Sequence, residues 1–352
     1  MTLRFIIPIS LGILLLAILL PMFLVESLEV SGPPFEQSPE SPVPPPTPTP
    51  RPNSPPPGPG DGLDDRLILQ VLIGEEVQAM SMSEFLVGVV AAEMPARFHP
   101  EALRAQAVAA RTYTLHRMFM EPAGRHPEAY VCGSFACCKA FHSTERLRER
   151  WGAQFDHYHA IIRLAVSETD GLILLYEELP ILAAFHSSSH GFTEAAGAVW
   201  NSRPYLQSVR SFEGAFEVPR FTETRTLPYG EFREIALGGV TGARLDYDDR
   251  GNWITGISYT DSGRISHLYL GGVRVRGGEF RRLFSLRSAA IDFAFDDSYV
   301  TITTNGYGHG VGMSQFGANT KANLGLTFDQ ILDWYYTDVT LGRVDTLFYA
   351  AE

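Results

Sequence analysis

The chain has 352 residues, 45% hydrophobic and 19% charged, which supports a packed core in one large domain or two smaller ones. Its 28 Lys and Arg against 40 Asp and Glu give a formal net charge of −12, so we expect no nucleic-acid partner and no general attraction to anionic surfaces. Three cysteines are too few for a disulfide scaffold. All of them lie between Cys132 and Cys138, which indicates one local site.

The N-terminus carries an apolar segment of membrane-spanning length. Phe5 to Val25 is uncharged, and at ~1.5 Å per helical residue it crosses the ~30 Å hydrocarbon core. A cleaved signal peptide usually has a shorter apolar region and a small-residue cleavage site, and no such site follows here. Arg4 precedes the segment and the next basic residue is Arg51, so the positive-inside rule keeps the N-terminus in the cytoplasm. We therefore expect residues 1–30 to form a single-pass cell-membrane anchor, with the rest of the chain extracytoplasmic.

The next segment, residues 31–62, is dominated by proline. Pro33 to Pro59 holds 14 of the 24 prolines of the chain, mixed with Ser, Thr, Glu and Gly. Proline at this density prevents helix and sheet and favours an extended polyproline II chain, so we predict a disordered linker. From about Leu63 the composition becomes globular, which predicts one domain over residues 63–352.

The first part of that domain predicts a hairpin followed by two helices. Ser83 is the predicted N-cap of the first helix, which stops before Pro95, and Pro100 occupies the N1 position of the second. The predicted elements are the strands Leu67–Ile73 and Val77–Met82 and the helices Ser83–Glu93 and Glu101–Met118.

Short strands separated by turn signals dominate the middle of the domain. The predicted strands are Asp170–Tyr176, Ile181–His186, Ile254–Thr260, Ile265–Leu270, Val273–Arg276, Ile291–Phe295 and Val300–Thr303. Two helices close the chain: one covers residues 314–323, and the other starts at Thr327, which forms a capping box with Gln330. Helices near both ends of a strand-rich domain predict an α+β fold.

Glu93 is the first candidate for chemistry. On a helix beginning at Ser83 it shares a face with Leu86, Val89 and Val90. An acid on an apolar face costs free energy unless it has a purpose or a partner, and desolvation raises a carboxyl pKa as a general acid requires. The alternative is a helix-end glutamate that turns into solvent or pairs with an arginine.

His126, Cys132, Cys137 and Cys138 form the second candidate, a cluster of one imidazole and three thiols. Such ligands suit zinc better than a hard metal ion. The alternative is a disulfide such as Cys132–Cys138, because the predicted compartment is oxidising. The spacing alone leaves both interpretations open.

Two further segments place polar residues in loops. Residues 186–190 (His-Ser-Ser-Ser-His) follow a predicted strand but lack the H-E-x-x-H pattern of a zinc protease. In residues 306–315, four glycines surround His309 just before a helix, where backbone amides and an imidazole can meet a polar ligand. This segment is not the G-x-S-x-G elbow of a serine hydrolase. The alternatives are a polar loop without a ligand and a glycine turn around a packed histidine.

Five blocks of sequence, taken together and in order, resemble the stage II sporulation protein D family, also called SpoIID/LytB. The blocks are GVVAAEMP, FHPEALRAQAVAARTYTL, VCGSFACCKAF, AAFHSSSHGFTEAAGAVWNSRPYLQSV and GYGHGVGMSQFGANTKANLGLTFDQILDWYY. The resemblance covers roughly residues 67–341.

The resemblance implies a membrane-anchored peptidoglycan lytic transglycosylase that cleaves the MurNAc–GlcNAc bond, preferably in strands whose stem peptides have been removed. The catalytic glutamate of the family lies in the A-A-E-M-P block, which makes it Glu93 here. One carboxyl group is enough, because the C6 hydroxyl of the sugar is the nucleophile, whereas ordinary glycosidases need two acids. Some relatives are instead non-enzymatic amidase enhancers, so the implied partners are glycan strands and a cell-wall hydrolase.

The resemblance also implies the remaining site residues. Some members bind a structural zinc through a His and two Cys spaced by six residues, which matches His126, Cys132 and Cys138 and leaves Cys137 as a fourth ligand or a free thiol. Many members have Gly where this chain has His190. The positions that match family blocks, and that we expect to contact sugar or support Glu93, are Gln106, Arg111, Tyr113, His186, Ser187, His309, Ser314 and Gln315.

Overall fold

The computed structural model describes residues 62–121, 126–213 and 218–349. Helices and short strands alternate along these residues, which confirms the prediction of an α+β fold. The predicted anchor and nearly all of the predicted linker lie outside the described residues, so both stay predictions. Within the part described, no helix has the length and apolar character needed to cross a membrane.

The chain forms a first lobe, is interrupted by a second lobe, and then completes the first. The elements before the interruption are α1 (Leu63–Arg66), β1 (Ile68–Ile73), β2 (Glu76–Ser81), α2 (Met82–Glu93), α3 (Pro100–Met120), β3 (Val131–Cys132), α4 (Thr144–Trp151), α5 (Phe155–Ser167), β4 (Leu172–Tyr176), β5 (Leu179–Pro180), β6 (Phe185–His186), β7 (Gly191–Phe192), α6 (Ala196–Val199) and β8 (Arg210–Ser211). The second lobe contains β9 (Thr222–Pro228), α7 (Tyr229–Gly239), β10 (Ile254–Tyr259), β11 (Ile265–Leu270), β12 (Val273–Arg276), α8 (Gly277–Leu283), β13 (Ile291–Phe295) and β14 (Tyr299–Asn305). The first lobe resumes with β15 (Met313–Ser314), α9 (Gln315–Asn323), α10 (Phe328–Tyr335), β16 (Thr340–Arg343) and α11 (Val344–Tyr349).

Each lobe has its own hydrophobic core. In the first, the alanine-rich helix α3 is central, and small side chains let α2, α5, α9 and α10 approach it closely. In the second, Trp253 is almost fully buried and stacks on Phe232, which also stacks on Phe284. The site described below lies on the first lobe.

Six small sheets connect the elements within the described residues. In the first lobe β1 pairs with β2 in antiparallel and with β3 in parallel orientation, β4 pairs with β16 and β5, β7 pairs with β8, and β6 runs parallel to β15. The second lobe has two antiparallel three-stranded sheets, ordered β10-β11-β12 and β13-β14-β9. The pairing of β6 with β15 brings together residues more than a hundred positions apart in sequence, and it positions half of the candidate site.

Local details correct two of the sequence predictions. The N-cap of α2 is Ser81 rather than Ser83, since Ser81 Oγ accepts a hydrogen bond from the Glu84 amide at 3.1 Å. The predicted strand over 181–186 is reduced to β6, because the amides of Ala183 and Ala184 bond to carbonyls only two residues back. The predicted long helix begins at residue 100, with the side chain of His99 as its N-cap.

Candidate functional site

Glu93 is the last residue of α2, and its carboxylate contacts two other segments. Val89 and Val90 are fully buried on the same helix, while Glu93 itself is half-buried. Its Oε1 accepts a hydrogen bond from the backbone amide of Ala140 at 3.1 Å, and its Oε2 accepts one from Nε2 of Gln315 at 3.0 Å. Both donors are neutral, so neither of them forms an ion pair with the carboxylate.

Lys139 adds a positive charge close to Glu93. Its Nζ lies 3.5 Å from the ring centroid of Phe185 and 4.2 Å from that of Tyr113, in a cation–π arrangement. Burial lowers the pKa of Lys139 to about 8, and the charge of Glu93 acts in the opposite direction. Tyr113, which the family resemblance assigned to sugar contact or to support of Glu93, therefore contacts this lysine with the face of its ring.

The predicted metal ligands His126, Cys132 and Cys138, and Cys137 beside them, lie together in and around β3, in the segment that precedes Lys139. Their ligand atoms are all within 4.8 Å of one another. Nε2 of His126 is 3.3 Å from Sγ of Cys137 and 3.8 Å from Sγ of Cys138, and the last two sulfurs are 3.9 Å apart. The edges of a tetrahedron with zinc–sulfur bonds of ~2.3 Å are ~3.8 Å long, so the four groups fit one zinc ion.

The chemistry of these donors also fits a cation. The three cysteines form no disulfide. Burial and the neighbouring thiols raise the pKa of Cys138 to about 12, and a bound divalent cation stabilises thiolates against that burial. Cys138 is two residues before Ala140, so an ion held here would fix the backbone amide that bonds to Glu93.

His186 and His309 lie on the other side of the site. Nδ1 of His186 is 3.2 Å from the carbonyl oxygen of Val311, and its Nε2 is 2.7 Å from Oγ of Ser189. The ring of His309 packs 5.8 Å from that of His186 and 4.7 Å from the half-exposed Trp200. Burial lowers the pKa of His186 well below its usual range and that of His309 to about 3, helped by nearby positive charges, so both rings are neutral at physiological pH.

The glycine-rich segment brings Gln315 to Glu93. In the parallel pair, Ser314 lies beside His186, and the carbonyl of Ser187 accepts a hydrogen bond from the Phe316 amide at 3.0 Å. Gly312 has a φ of +73°, and a Cβ at this position would overlap the carbonyl oxygen of Ala184. Glycine at position 312 therefore lets this segment pass close to Ala184. Helix α9 begins three residues later, with Gln315.

Two other residues that match family blocks lie elsewhere in the first lobe. Arg111 is fully buried, and its Nε donates a hydrogen bond to Asp64 at 2.8 Å while its Nη1 donates to the carbonyl of Leu172 at 3.0 Å. Gln106 is also fully buried, and among the described residues its side-chain amide finds no hydrogen-bond partner. The structure thus brings Glu93, Gln315, Ser314, His186, His309 and Tyr113 together and pairs Arg111 with Asp64.

Sequence reasoning missed three residues of this region. Lys139 directly follows the cysteine cluster, and Trp200 is one of only four tryptophans, so both carried a weak signal. Glu213 carried none, because it lies outside all five blocks. It accepts a hydrogen bond from Ser314 in the folded chain.

Comparison with known proteins gives concordant matches. A family model described as "Stage II sporulation protein" matches residues 74–176, which include Glu93 and all four cluster residues. The chain is 36% identical over 272 residues to stage II sporulation protein D of Bacillus subtilis (strain 168), covering 77% of each chain. It is 36% identical over 271 residues to the protein of the same name from Bacillus amyloliquefaciens, covering 77% of this chain and 76% of that one. It is also 26% identical over 318 residues to the amidase enhancer of Bacillus subtilis (strain 168), covering 73% of this chain and 40% of that one.

Proposed function

Because the chain belongs to the stage II sporulation protein D family, we propose that it is a peptidoglycan lytic transglycosylase. Its substrate is the MurNAc–GlcNAc bond of glycan strands, preferably strands freed of stem peptides. The observation that supports this proposal best is the half-buried carboxyl of Glu93, which two neutral donors, Ala140 and Gln315, hold in one orientation.

One carboxyl group serves both halves of the reaction. Protonated Glu93 donates its proton to the glycosidic oxygen as the bond from that oxygen to C1 of MurNAc breaks. The resulting carboxylate accepts the proton of the C6 hydroxyl of the same sugar, and the C6 oxygen forms a new bond to C1. The products are a 1,6-anhydro end and a free hydroxyl on the leaving sugar, and Glu93 is protonated again.

Zinc is the metal that the donor set fits, and it would be held by His126, Cys132 and Cys138, with Cys137 as the fourth ligand. When bound, it supplies a rigid cross-link and no reactive group. The chain's own contribution is the placement of the loop that carries Lys139 and the Ala140 amide beside Glu93.

A membrane anchor formed by residues 1–30 would place the enzyme on the outer side of the cell membrane, where its substrate lies. An enzyme that is active only outside the cytoplasm, fused after Glu352, should then be active in cells. Activity from a cytoplasm-dependent reporter alone would show the opposite topology.

Mass spectrometry of peptide-free glycan strands after digestion by the purified chain tests the reaction. Ends with a 1,6-anhydro ring are expected, whereas reducing ends would mean hydrolysis. Glu93→Gln keeps the size of the side chain but cannot transfer a proton, so turnover should fall by at least about 10²-fold. The control is Glu84→Gln on the exposed first turn of the same helix, which should leave turnover nearly unchanged.

A non-enzymatic amidase enhancer is the second candidate, favoured by the 26% identity to the relative of that name. In that case Glu93→Gln would leave wall binding and stimulation of a partner amidase unchanged. Purified glycan would then remain intact with the wild-type chain alone. The two functions are therefore separated by one digestion without any amidase.

A further inference from the structure

A second carboxylate, that of Glu213, lies buried behind the candidate site. Only 6% of this residue is exposed. Its Oε1 accepts hydrogen bonds from the backbone amide of Ser189 and from Oγ of Ser314, and its Oε2 accepts one from Oγ of Ser211 at 2.7 Å. Both oxygens are therefore occupied by donors from three separate segments.

Two of these donors belong to the segments that carry the site. Ser189 also holds Nε2 of His186 through its hydroxyl. Ser314 is the N-cap of α9, and the next residue, Gln315, donates to Glu93. Glu213 thus joins the loop after β6 to the start of α9, one residue away from the side chain that contacts Glu93.

The surroundings of Glu213 leave little freedom for movement. Oγ of Ser211 is 2.8 Å from the hydroxyl of Tyr335 on α10. A Cβ on Gly317 would overlap both of these hydroxyls and lie 2.5 Å from Oε2 of Glu213. Lys321, on the same helix as Gly317, supplies a positive charge that favours the ionised carboxyl.

We propose that Glu213 is a positioning residue for Gln315: by accepting hydrogen bonds from Ser189 and Ser314 it fixes the start of α9 and so aims the Gln315 amide at Glu93. The inference rests on the proposed function, because Glu93 matters for turnover only if the chain cleaves glycan. Glu213 itself touches neither Glu93 nor, on this view, the sugar. Burial raises the pKa of Glu213, and its three hydrogen bonds and the charge of Lys321 oppose that rise.

The requirement for a carboxylate makes the proposal testable. A glutamine in place of Glu213 has the same size but no charge, and only one of its two polar atoms accepts, so the charge-assisted hydrogen bonds from Ser189 and Ser314 are weakened. Glu194 is a matched control, because its carboxylate is equally buried and accepts from one amide and two hydroxyls, those of Ala195, Thr260 and Ser262. Its hydrogen bonds join the two lobes and none of them involves α9.

The experiment is a double-mutant cycle on the full chain with peptide-free glycan as substrate. Glu213→Gln should lower kcat by about tenfold, the equivalent of one lost hydrogen bond, with KM changed by less than about twofold. In a Gln315→Ala background the same change should lower kcat by less than about twofold, because the side chain that Glu213 positions has already been removed. Glu194→Gln, in contrast, should have the same effect in both backgrounds.

Equal losses from Glu213→Gln in both backgrounds would overturn the proposal and leave Glu213 with a purely structural role. If that variant does not fold, Ser314→Ala removes one of the two bonds and must show the same coupling to Gln315→Ala. If the wild-type chain cleaves no glycan, the proposed function fails, and the positioning role is decided by crystal structures. The Glu213→Gln variant must then show the Gln315 amide displaced from Glu93 by on the order of 1 Å, and an unmoved amide would refute it.

Discussion

At the scale of single residues, the contacts of Glu93 show what a sequence can and cannot predict. Its apolar helix face was predictable, since Val89 and Val90 lie four and three residues before Glu93 and are buried. The Ala140 amide, 47 positions away, was not predictable, and Gln315, 222 positions away, was expected to contact sugar or support Glu93 only through the family resemblance. Such pairs arise from tertiary packing, which leaves no local pattern in the chain.

The neutral state of His186 predicts how stability depends on pH. Its folded pKa is well below the ordinary value because of burial, whereas the unfolded chain takes up a proton as pH falls through about 6.5. The unfolded state therefore gains protons first, and stability is lost as pH falls below that point. Between pH 6 and pH 5 the free energy of unfolding should fall by about 1 kcal/mol more for the wild type than for His186→Asn.

Urea titrations at the two pH values provide the measurement, and the comparison of variants cancels acid effects on other groups. Equal pH slopes for the two proteins would mean that His186 is protonated in the folded chain.

At the scale of elements, the two-residue pair β6–β15 carries much of the site. The sequence predicted a strand that ends at His186 and a glycine-rich turn before α9, but not that the two pair with each other. Their pairing depends on the approach of Gly312 to a carbonyl of a distant segment, which is visible only in three dimensions. The helices α4 and α5 were also missed, although Ser143 Oγ accepts the capping hydrogen bond from the Arg146 amide of α4, and the buried Ile162, Ala165 and Val166 of α5 recur at helical spacing.

Alanine substitutions at two glycines with positive φ distinguish the cost of backbone strain from the cost of steric overlap. Gly74 has a φ of +63° with open space around it, whereas Gly312 has a φ of +73° and a Cβ added there would overlap the carbonyl oxygen of Ala184. Gly74→Ala should cost about 1 kcal/mol of unfolding free energy, the strain of that φ alone. Gly312→Ala should cost about 2 kcal/mol more, because its Cβ overlaps the carbonyl oxygen of Ala184, and should also abolish glycan cleavage. Similar losses for both variants would show that the approach at Gly312 relaxes easily.

The cluster of His126 and the three cysteines yields a prediction about metal content. Protein purified under reducing conditions without chelator should contain one zinc per chain, and Cys132→Ser should abolish that content. Chelation should lower the melting temperature, and added zinc should restore it. Cys137→Ser tests the fourth position, because weaker zinc retention identifies Cys137 as a ligand. A metal-free chain with a Cys132–Cys138 disulfide would replace the zinc interpretation.

At the scale of the whole molecule, one buried ion pair ties the start of the domain to its core. Asp64 of α1 and Arg111 of α3 are both almost fully buried and bonded to each other, and Asp170 accepts hydrogen bonds from two α1 amides at 2.9 Å. This arrangement fixes the point at which the predicted linker meets the folded domain.

Removal of one partner of that pair leaves a buried charge, which is costly. Asp64→Asn should lower the unfolding free energy by about 3–5 kcal/mol in urea titrations. The control is Glu168→Gln, which breaks the more exposed pair with Arg104 and should cost less than about 1 kcal/mol. A small effect at Asp64 would indicate that water reaches the pair.

The ends of the second lobe meet at one point. Thr222 pairs with Asn305 at the ends of β9 and β14, and the amide of Gly306 donates to the carbonyl of Phe221 at 2.9 Å. An insertion that leaves and re-enters its host at neighbouring residues can grow, shrink or be exchanged without moving the host strands. Homologues can therefore differ in this lobe, provided that they keep its hydrogen bonds from Thr260 and Ser262 to Glu194 of the first lobe. Removal of the second lobe would take away Arg264, which donates to the first lobe at the carbonyl of Phe192.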